Sequence, residues 1–277
     1  MNNYAYPEVL VETQWVAENL TNPSIRFIEV DIDASNYDTG HLHGAIFWNG
    51  LETLLCSDYR VNFDKEAVEN LLLRSGITND TTIIVYSGQP GVAPWVFWFL
   101  KGFGHCDVRV MNGGRKKWLA EGRQVTTKIP TIMPTEYKAQ VFDQSIRVEC
   151  DAVLRAITEG DSVLLDVRTP QEYSGEWFTM EPPSGTERAG HIPGAVHLYY
   201  EEAHQEDETF KPVEELKALY DSKGITGDKA VITYCAVGMR AAHTWFVLRY
   251  LLGHQNVRNY DASWSEWGLR FDTPIEQ

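Results

Sequence analysis

The chain lacks the features that mark membrane, exported and nucleic-acid-binding proteins. No stretch approaches ~18 uninterrupted apolar residues, and the N-terminal "MNNYAYPEVLVETQW" has no basic start followed by an apolar segment. We therefore expect no membrane span and a cytoplasmic location. The 24 Lys and Arg residues stand against 39 Asp and Glu, a formal charge of −15, which disfavours nonspecific binding to nucleic acid. A small anionic substrate stays open if a few arginines make its pocket positive.

Cysteine is also scarce, and its spacing excludes the usual metal sites. The four cysteines, Cys56, Cys106, Cys150 and Cys235, lie far apart without CxxC or CxxH spacing. We therefore expect no zinc site, and a reducing compartment argues against structural disulfides. Cys56, Cys106 and Cys150 are interpreted as structural or incidental. Disorder is not indicated, because 43% of the residues are hydrophobic and 12% are aromatic.

What the sequence does contain is an internal repeat. "GITNDTTIIVYSG" from Gly76 matches "GITGDKAVITYCA" from Gly224, and "GHLHGAI" from Gly40 matches "GHIPGAV" from Gly190. Further on, "GHCDVRVMNGGRKKW" from Gly104 matches "GHQNVRNYDASWSEW" from Gly253. The order is kept, and an offset near 150 residues fits two duplicated domains of ordinary size rather than a solenoid.

Within each half, apolar runs alternate with helical patterns. In the second half, residues 162–167 and 230–234 are continuous Val, Ile and Leu runs typical of buried strands. Helices are predicted at residues 152–158, with Asp151 as the N-cap, at 213–223 and at 240–252. This alternation predicts an α/β fold with a mainly parallel sheet covered on both faces. The predicted domains are residues 1–125 and 147–277, joined by an ordered linker at 126–146.

Cys235 lies where a strand becomes a helix, in the loop "CAVGMR". The repeat places Ser87 at this position, so the thiol is not needed to build the fold. Ligands bind at the carboxyl ends of parallel strands, and the unpaired N–H groups of a helix start favour an anion there, as does Arg240. Gly238 helps the loop to curl. These features predict a reactive thiolate surrounded by backbone donors.

The segment upstream of the GH motif also differs between the halves. Ten positions separate Asp31 from His41, whereas twenty-five separate Asp166 from His191. We expect the extra residues to form a rim or lid over the site. Arg188 is the residue of this segment best suited to hold an anion.

These motifs together resemble the two-domain rhodanese family, over nearly the whole chain. "LLDVRTPQEYSGE", "RAGHIPGAV", "YCAVGMRAAHTWFVLRYLLG" and "VRNYDASWSEWG" are similar to the catalytic half, and "VDIDASNYDTGHLHGAI" and "MNGGRKKW" to the inactive half. The likeness is greatest to bacterial thiosulfate sulfurtransferases. It implies two tandem rhodanese-like domains and a persulfide cycle, in which a cysteine takes the outer sulfur of thiosulfate and passes it to cyanide or another thiophilic acceptor. No metal or organic cofactor is implied.

The resemblance also implies roles for individual residues. Cys235 would be the nucleophile and persulfide carrier, with Arg240 and Arg188 holding the sulfonate end of thiosulfate. The backbone amides from Ala236 to Arg240 would stabilise the persulfide. That loop comprises Ala236, Val237, Gly238 and Met239 before Arg240. The chain departs from the mammalian pattern, since Ala236 and Val237 replace basic residues.

Three alternatives remain open at the level of sequence. A 3-mercaptopyruvate sulfurtransferase shares the covalent step but carries a second arginine past the strand end, where this chain has Glu172. A cysteine phosphatase or arsenate reductase is disfavoured, because its loop has one residue more between the cysteine and the arginine. A carrier module would deliver the persulfide to a thiol of one protein partner. The donor, the acceptor and the oligomeric state are not fixed by the sequence.

Other conspicuous residues are interpreted as structural. We expect Asp166 and Arg168 to pair at the strand end, and His41 and His191 to serve the fold because both halves carry them. Trp264 and Trp267 are expected to pack, and the acidic run at 201–208 is expected to be a solvated loop rather than a metal site.

Overall fold

The computed structural model describes residues 3–277, which fold into two compact units. The N-terminal unit comprises Glu8–Asp143 and His204–Phe210, and the C-terminal unit comprises Gln144–Ala203 and Lys211–Gln277 with the described residues up to Pro7. Most of the predicted linker therefore packs with the N-terminal unit. The domain boundaries inferred from the sequence stay a prediction. No helix in the described part of the chain has the length and apolar character needed to span a membrane.

The N-terminal unit is built on a five-stranded parallel sheet. Its strands are β1 (Leu10–Val11), β2 (Ile25–Asp31), β3 (Ile46–Asn49), β4 (Thr82–Tyr86) and β5 (Val108–Met111), in the order β1-β5-β4-β2-β3. Its helices are α1 (Thr13–Asn19), α2 (Ser35–Thr39), α3 (Gly50–Leu54), α4 (Lys65–Arg74), α5 (Val92–Gly102) and α6 (Gly114–Ala120). The central strands are buried along nearly their whole length, as expected of a sheet covered on both faces.

The C-terminal unit repeats this plan with a four-stranded parallel sheet. Its strands are β6 (Ser162–Asp166), β7 (Val196–His197), β8 (Ala230–Tyr234) and β9 (Val257–Asn259), in the order β7-β6-β8-β9. Its helices are α7 (Cys150–Glu159), α8 (Pro170–Tyr173), α9 (Val213–Asp221), α10 (Met239–Phe246) and α11 (Ser263–Trp267). A π-helical turn at Val247–Leu251 follows α10, and short 3-10 turns lie at Pro7–Val9, Gln144–Ile146 and Tyr200–Ala203.

The α/β fold and the parallel sheets are therefore confirmed, with shifts at helix ends. The N-cap of α7 is Glu149 and not the predicted Asp151, which lies in the first turn. The helix predicted at residues 240–252 begins one residue earlier, and its α-helical part ends at Phe246. Boundaries of this kind depend on local hydrogen bonding that apolar spacing does not specify.

The two GH motifs have the same structural role. The ring of His41 stacks on Tyr37 at 3.7 Å, and its Nδ1 lies 2.9 Å from the carbonyl oxygen of that tyrosine. His191 stacks on Tyr173 at 3.8 Å, again with Nδ1 2.9 Å from the tyrosine carbonyl. A role in the fold, as predicted, accounts for both histidines.

The acidic run at 201–208 is not simply a solvated loop, so that interpretation is wrong for its second part. Residues 204–210 belong to the N-terminal unit, where Phe210 is buried. Asp207 and Glu208 form ion pairs with Lys117 and Lys116, at 2.9 and 3.2 Å. The acidic side chains of this segment thus have cationic partners on the surface that it covers. No group of three or more potential metal ligands is found within residues 3–277.

Candidate active site

Cys235 follows β8 directly and lies at the carboxyl end of the sheet. Its side chain is buried, with 1% of the residue exposed. Its Sγ accepts a hydrogen bond from the backbone N–H of Gly238 at 3.1 Å. The amides of Ala236 and Val237 donate to no acceptor within the described residues, so they are available to a group bound at the sulfur. The loop thus brings the N–H of Gly238 to Sγ, while the role of residues 236–239 in holding a persulfide stays a prediction.

The geometry of this loop depends on a glycine. Gly238 has φ +85°, a left-handed conformation that disfavours side chains, and it immediately precedes α10. A Cβ at this position would also lie 2.5 Å from the backbone oxygen of Asp261. The carbonyl of Gly238 accepts a hydrogen bond from Asn259 Nδ2 at 3.2 Å. Close packing against residues 259–261 therefore fixes the turn that aims Gly238 N–H at the sulfur.

The backbone of Cys235 is held by the start of α11. Its N–H donates to Ser263 Oγ at 3.0 Å, and its carbonyl accepts from Trp264 N at 3.0 Å. The next carbonyl, that of Ala236, accepts from Ser265 N at 2.9 Å. Ser263 is fully buried and has φ +52°, which is unusual for a residue other than glycine. The start of α11 thus holds the strand end that carries the thiol.

Sequence reasoning missed Ser263, although the repeat contains the signal. The match of "MNGGRKKW" with "YDASWSEW" places Ser263 on Gly114, which has φ +51°. In the N-terminal unit, the carbonyl oxygen of Ser87 accepts a hydrogen bond from Arg115 N at 2.9 Å. The carbonyl oxygen of Cys235 accepts one from Trp264 N in the same way. The conformation is therefore common to both halves. Only the half with the thiol places a side chain there.

Arg240 lies in the first turn of α10, and its guanidinium group is paired. Nη1 and Nη2 donate to the two carboxylate oxygens of Glu172, at 2.7 and 2.8 Å. Burial acts to lower the pKa of Arg240, but this carboxylate and the nearby Cys235 thiol outweigh it and raise the pKa above its ordinary value. The structure thus brings Arg240 into electrostatic contact with Cys235 while Glu172 offsets its charge.

Glu172 was not predicted as a site residue, and its position has a local cause. It is the third residue of α8, where a capping box forms with Thr169 at the N-cap. One of its oxygens accepts both the N–H and the hydroxyl of Thr169, at 3.0 and 2.9 Å. This start of α8 holds the buried carboxylate in place for Arg240.

Arg188 is engaged elsewhere in the C-terminal unit. Nη1 donates to the carbonyl of Thr273 at 2.9 Å, and Nη2 donates to Trp267 O at 3.1 Å, to Arg270 O and to Thr273 Oγ1 at 2.6 Å. None of its side-chain hydrogen bonds within residues 3–277 involves the Cys235 loop. These bonds tie the segment between α8 and β7 to the C-terminal residues. The role of Arg188 as a substrate ligand stays a prediction.

Asp166 and Arg168 form the expected pair at the end of β6. Both are fully buried, and Nη2 lies 2.6 Å from Oδ2. Burial acts to lower the pKa of Arg168, but Asp166 more than offsets it and raises the pKa. The guanidinium group lies 4.3 Å from the ring centre of Trp264, and it donates to Gly190 O at 2.7 Å. Trp264 and Trp267 are both fully buried in the core, as predicted.

The strand registers correct one part of the repeat alignment. Asp166 pairs with Tyr234 in the C-terminal unit, whereas Glu29, not Asp31, pairs with Tyr86 in the N-terminal unit. Each tyrosine hydroxyl accepts the backbone N–H of the residue that follows a GH histidine, at 3.1 Å. Glu29 is thus the counterpart of Asp166, and its cation comes from Arg115 at 3.1 Å.

Asp31 then occupies the place that Arg168 has in the other unit. Its Oδ2 accepts the N–H of Gly88, the residue after Ser87, at 3.1 Å. Burial raises the pKa of Asp31, and that hydrogen bond acts against it. The loop of the N-terminal unit therefore already uses one amide on a carboxylate of its own. The N-terminal unit thus has no thiol at the position of Cys235. Its loop is also not available to a ligand in the way that the Cys235 loop is.

The other three cysteines are free and lie outside this arrangement. Cys56 and Cys106 are exposed, and Cys150 is buried at the start of α7. Burial raises the pKa of the Cys150 thiol. Its surroundings therefore favour the unreactive, protonated form.

Comparison with known proteins agrees with this geometry. The model of the rhodanese-like domain matches the chain twice, at residues 12–121 and 149–270. The sulfur carrier protein TtuD of Thermus thermophilus is 47% identical over 285 residues, covering 98% of each chain. A protein provisionally named thiosulfate sulfurtransferase, from Saccharopolyspora erythraea, is 45% identical over 97% of this chain and 96% of its own. Its provisional namesake in Mycolicibacterium smegmatis is 43% identical, over 98% and 99%.

Solved structures share the fold. Wild-type EanB superposes with a TM-score of 0.86 at 24% identity, covering 98% of this chain and 69% of its own. A persulfide form of an EanB variant with ergothioneine gives a TM-score of 0.89 at 23% identity, covering 100% and 72%. At this identity the likeness concerns the fold alone. The two domain matches and the close relatives, taken with a buried thiol in a loop of amides, show that the chain belongs to the rhodanese family and is a sulfurtransferase with two rhodanese-like domains.

Proposed function

We propose that this sulfurtransferase takes the outer sulfur of thiosulfate onto Cys235 and passes it to cyanide or another thiophilic acceptor. The observation that carries the proposal is the hydrogen bond from Gly238 N to Cys235 Sγ, at 3.1 Å, in a loop where the amides of Ala236 and Val237 have no acceptor among residues 3–277. Donors fixed in advance stabilise negative charge on sulfur without reorganising during the reaction.

The chemistry balances without a cofactor. The Cys235 thiolate attacks the outer sulfur of thiosulfate, a sulfur–sulfur bond forms, and sulfite leaves with the electron pair of the bond that breaks. Cyanide then attacks the outer sulfur of the persulfide, so that thiocyanate leaves and the thiolate returns. The N–H groups of Ala236 and Val237 would bind the added sulfur, while Gly238 keeps its bond to Sγ.

Arg240 is proposed as the cation for the sulfonate group of the donor. The bidentate pair with Glu172 uses two of the five N–H donors of its guanidinium group, which leaves three for a substrate. Because Glu172 offsets the charge, a donor anion would be held less strongly than by a free arginine. Arg188 could join only by giving up its bonds to residues 267–273, so we assign it the lesser part.

The names of the relatives support one donor and one class of acceptor. Those provisionally named thiosulfate sulfurtransferases favour thiosulfate as the donor. The 47% identical relative from Thermus thermophilus is named a sulfur carrier protein, which favours delivery of the persulfide to a thiol of a protein partner. The two readings share the loading step and differ in turnover with small acceptors. A location in the cytoplasm remains part of the proposal.

Mass spectrometry tests the loading step. After incubation with thiosulfate, the peptide that contains Cys235 should gain the mass of one sulfur, and cyanide should remove it as thiocyanate. Cys235→Ala should abolish both, whereas Cys106→Ala, at an exposed thiol, should change neither. Full thiocyanate production by the Cys235 variant would refute the assignment.

Donor comparison then separates the alternatives. We expect kcat/KM to be higher for thiosulfate than for 3-mercaptopyruvate, and a large preference for mercaptopyruvate would overturn the choice of donor. Stoichiometric loading of Cys235 with slow turnover on cyanide would instead favour the carrier role. Cys235-dependent hydrolysis of an aryl phosphate would revive the phosphatase alternative.

A further inference from the structure

Two arginines of the C-terminal unit, Arg155 and Arg258, differ from the other described arginines in the partners of their guanidinium groups. Within residues 3–277, every other arginine donates from its guanidinium group to a carboxylate, an amide oxygen or a carbonyl, or pairs with one. Arg155 and Arg258 have neither a side-chain hydrogen bond nor an ion pair. Both line the same cavity. Arg155 is exposed and Arg258 half-buried, so one cavity of a chain with a formal charge of −15 carries two cations without an acidic partner among the described residues.

The cavity that they line has the size of a small-molecule site. Its volume is about 380 Å³, and its wall includes Arg147 and the first turn of the ten-residue helix α7. A neighbouring cavity of about 440 Å³ shares Arg258 and adds Arg249. Ligand pockets typically measure about 300–1,000 Å³. The two cavities share Gln144 and Arg258, and their linings together include four arginines; this lined surface is named the arginine depression below.

None of the residues that line the arginine depression belongs to the Cys235 loop. Ala230 and Val257, which line its second cavity, are the first residues of β8 and β9. Cys235 lies beyond the other end of β8, five residues from Ala230, a distance of about 16 Å at the rise of a strand. The second cavity therefore lies at the opposite end of β8 from the sulfur-transfer site.

Acidic groups at the rim limit what can bind. Glu149 is already paired with Arg147 at 3.0 Å, and Arg147 also binds the buried Asp261 at 2.8 Å. Asp151 lines the cavity four residues before Arg155 without pairing with it. The uncompensated positive charge therefore lies on Arg155 and Arg258, with Arg249 nearby, whose Nη1 donates to the carbonyl of Gln255.

We propose that the arginine depression binds a small phosphate-bearing ligand with two linked anionic groups. Guanidinium groups bind phosphate oxygens through paired N–H bonds, and each such charge-assisted bond is stronger than a neutral one. One anionic group would lie between Arg155 and Arg258, and the second would reach toward Arg249. The concave shape suits a small molecule better than a flat protein surface. This assignment does not depend on the donor or the acceptor proposed for Cys235.

Calorimetric titration with inorganic pyrophosphate tests the proposal. We expect saturable binding that Arg155→Gln and Arg258→Gln each weaken about tenfold, equivalent to about 1.4 kcal/mol, because each removes a charge-assisted hydrogen bond. Asp151→Asn should tighten binding, because it removes the like charge beside Arg155. Orthophosphate, with one anionic group, should bind more weakly than pyrophosphate.

Arg74→Gln, at an arginine of α4 whose Nε donates to the carbonyl of Asn70, is the matched control and should leave the isotherm unchanged. Absence of binding, equal isotherms for wild type and both arginine variants, or equal weakening by Arg74→Gln would overturn the proposal. Displacement of pyrophosphate by thiosulfate would place the anion at the Cys235 loop and would also overturn it. Loading of Cys235 with sulfur should be unchanged in the Arg155 and Arg258 variants, which separates this site from the catalytic one.

Discussion

Ser263 offers a prediction whose magnitude follows from two structural features of one residue. Its Oγ accepts the buried N–H of Cys235, and its backbone lies in the left-handed region at φ +52°. Ser263→Ala removes the acceptor and keeps the strain, which should cost about 1–3 kcal/mol for the unpaired N–H. Ser263→Gly loses the same bond but relieves about 1–2 kcal/mol of left-handed strain, against about 0.5–1 kcal/mol of glycine chain entropy.

The order of stability is therefore wild type, then Ser263→Gly, then Ser263→Ala, with the two variants separated by up to about 1.5 kcal/mol. Urea unfolding followed by circular dichroism measures the difference, and amide hydrogen exchange at Cys235 should speed up in both variants. Gly114, at φ +51° in the other unit, supports the expectation that glycine fits this backbone.

Ser265→Ala is the matched control, because its Oγ donates, among the described residues, only to the carbonyl of Ala262, the N-cap of α11, at 2.9 Å. It should leave exchange at Cys235 unchanged. An alanine variant at 263 that equals or exceeds the glycine variant in stability would refute the strain argument. Unchanged exchange at Cys235 in both 263 variants would refute the role of the hydrogen bond.

Four further predictions concern the charges and thiols of the C-terminal unit. Arg240→Met should destabilise the unit by about 3–5 kcal/mol, because it leaves Glu172 buried without its cation. Adding Glu172→Gln should restore much of this stability. Additive losses of the two substitutions in denaturant unfolding would contradict a coupled pair. Glu172→Gln alone should lower KM for thiosulfate, because it removes the carboxylate that competes with the donor for Arg240. An unchanged KM in steady-state assays would argue against Arg240 as the sulfonate ligand. Arg188→Gln should lower Tm more than it raises KM, since its N–H groups hold residues 267–273; the reverse pattern would make it a substrate ligand. Cys150 should be alkylated more slowly than Cys56 and Cys106 at pH 8, because burial raises its pKa and leaves less thiolate at that pH. Equal alkylation rates in a mass-spectrometric time course would refute this.

The repeat made much of the fold predictable. Continuous apolar runs marked β6 and β8, and the comparison of Cys235 with Ser87 separated chemistry from packing without any structure. Such arguments succeed because burial and strand order follow from the residue types themselves. The position of the thiol at the end of β8 followed in the same way.

Pairings between distant segments could not be read in this manner. The bond between Arg240 and Glu172 depends on how the capping box at Thr169 orients α8, and an arginine near a thiol looks like a substrate ligand until its partner is known. Arg188 is a similar case, since its acceptors are backbone carbonyls, which carry no sequence signal. The equivalence of Glu29 with Asp166 required strand register, because acidic residues occur at two positions near the end of β2.

The hydrogen bond from Gly88 to Asp31 bears on how a second catalytic centre could be engineered into this chain. Ser87→Cys would restore the missing sulfur at the end of β4 but would place it beside a carboxylate that already holds the loop amide. Repulsion between two anions would keep that new thiol protonated, and sulfur loading should remain poor. A working copy would need Asp31 exchanged for a neutral residue in the same step, so the two substitutions are useful only together. The two substitutions are therefore epistatic: neither restores activity to the N-terminal unit without the other. Single-residue scans of this unit should find no gain of sulfurtransferase activity.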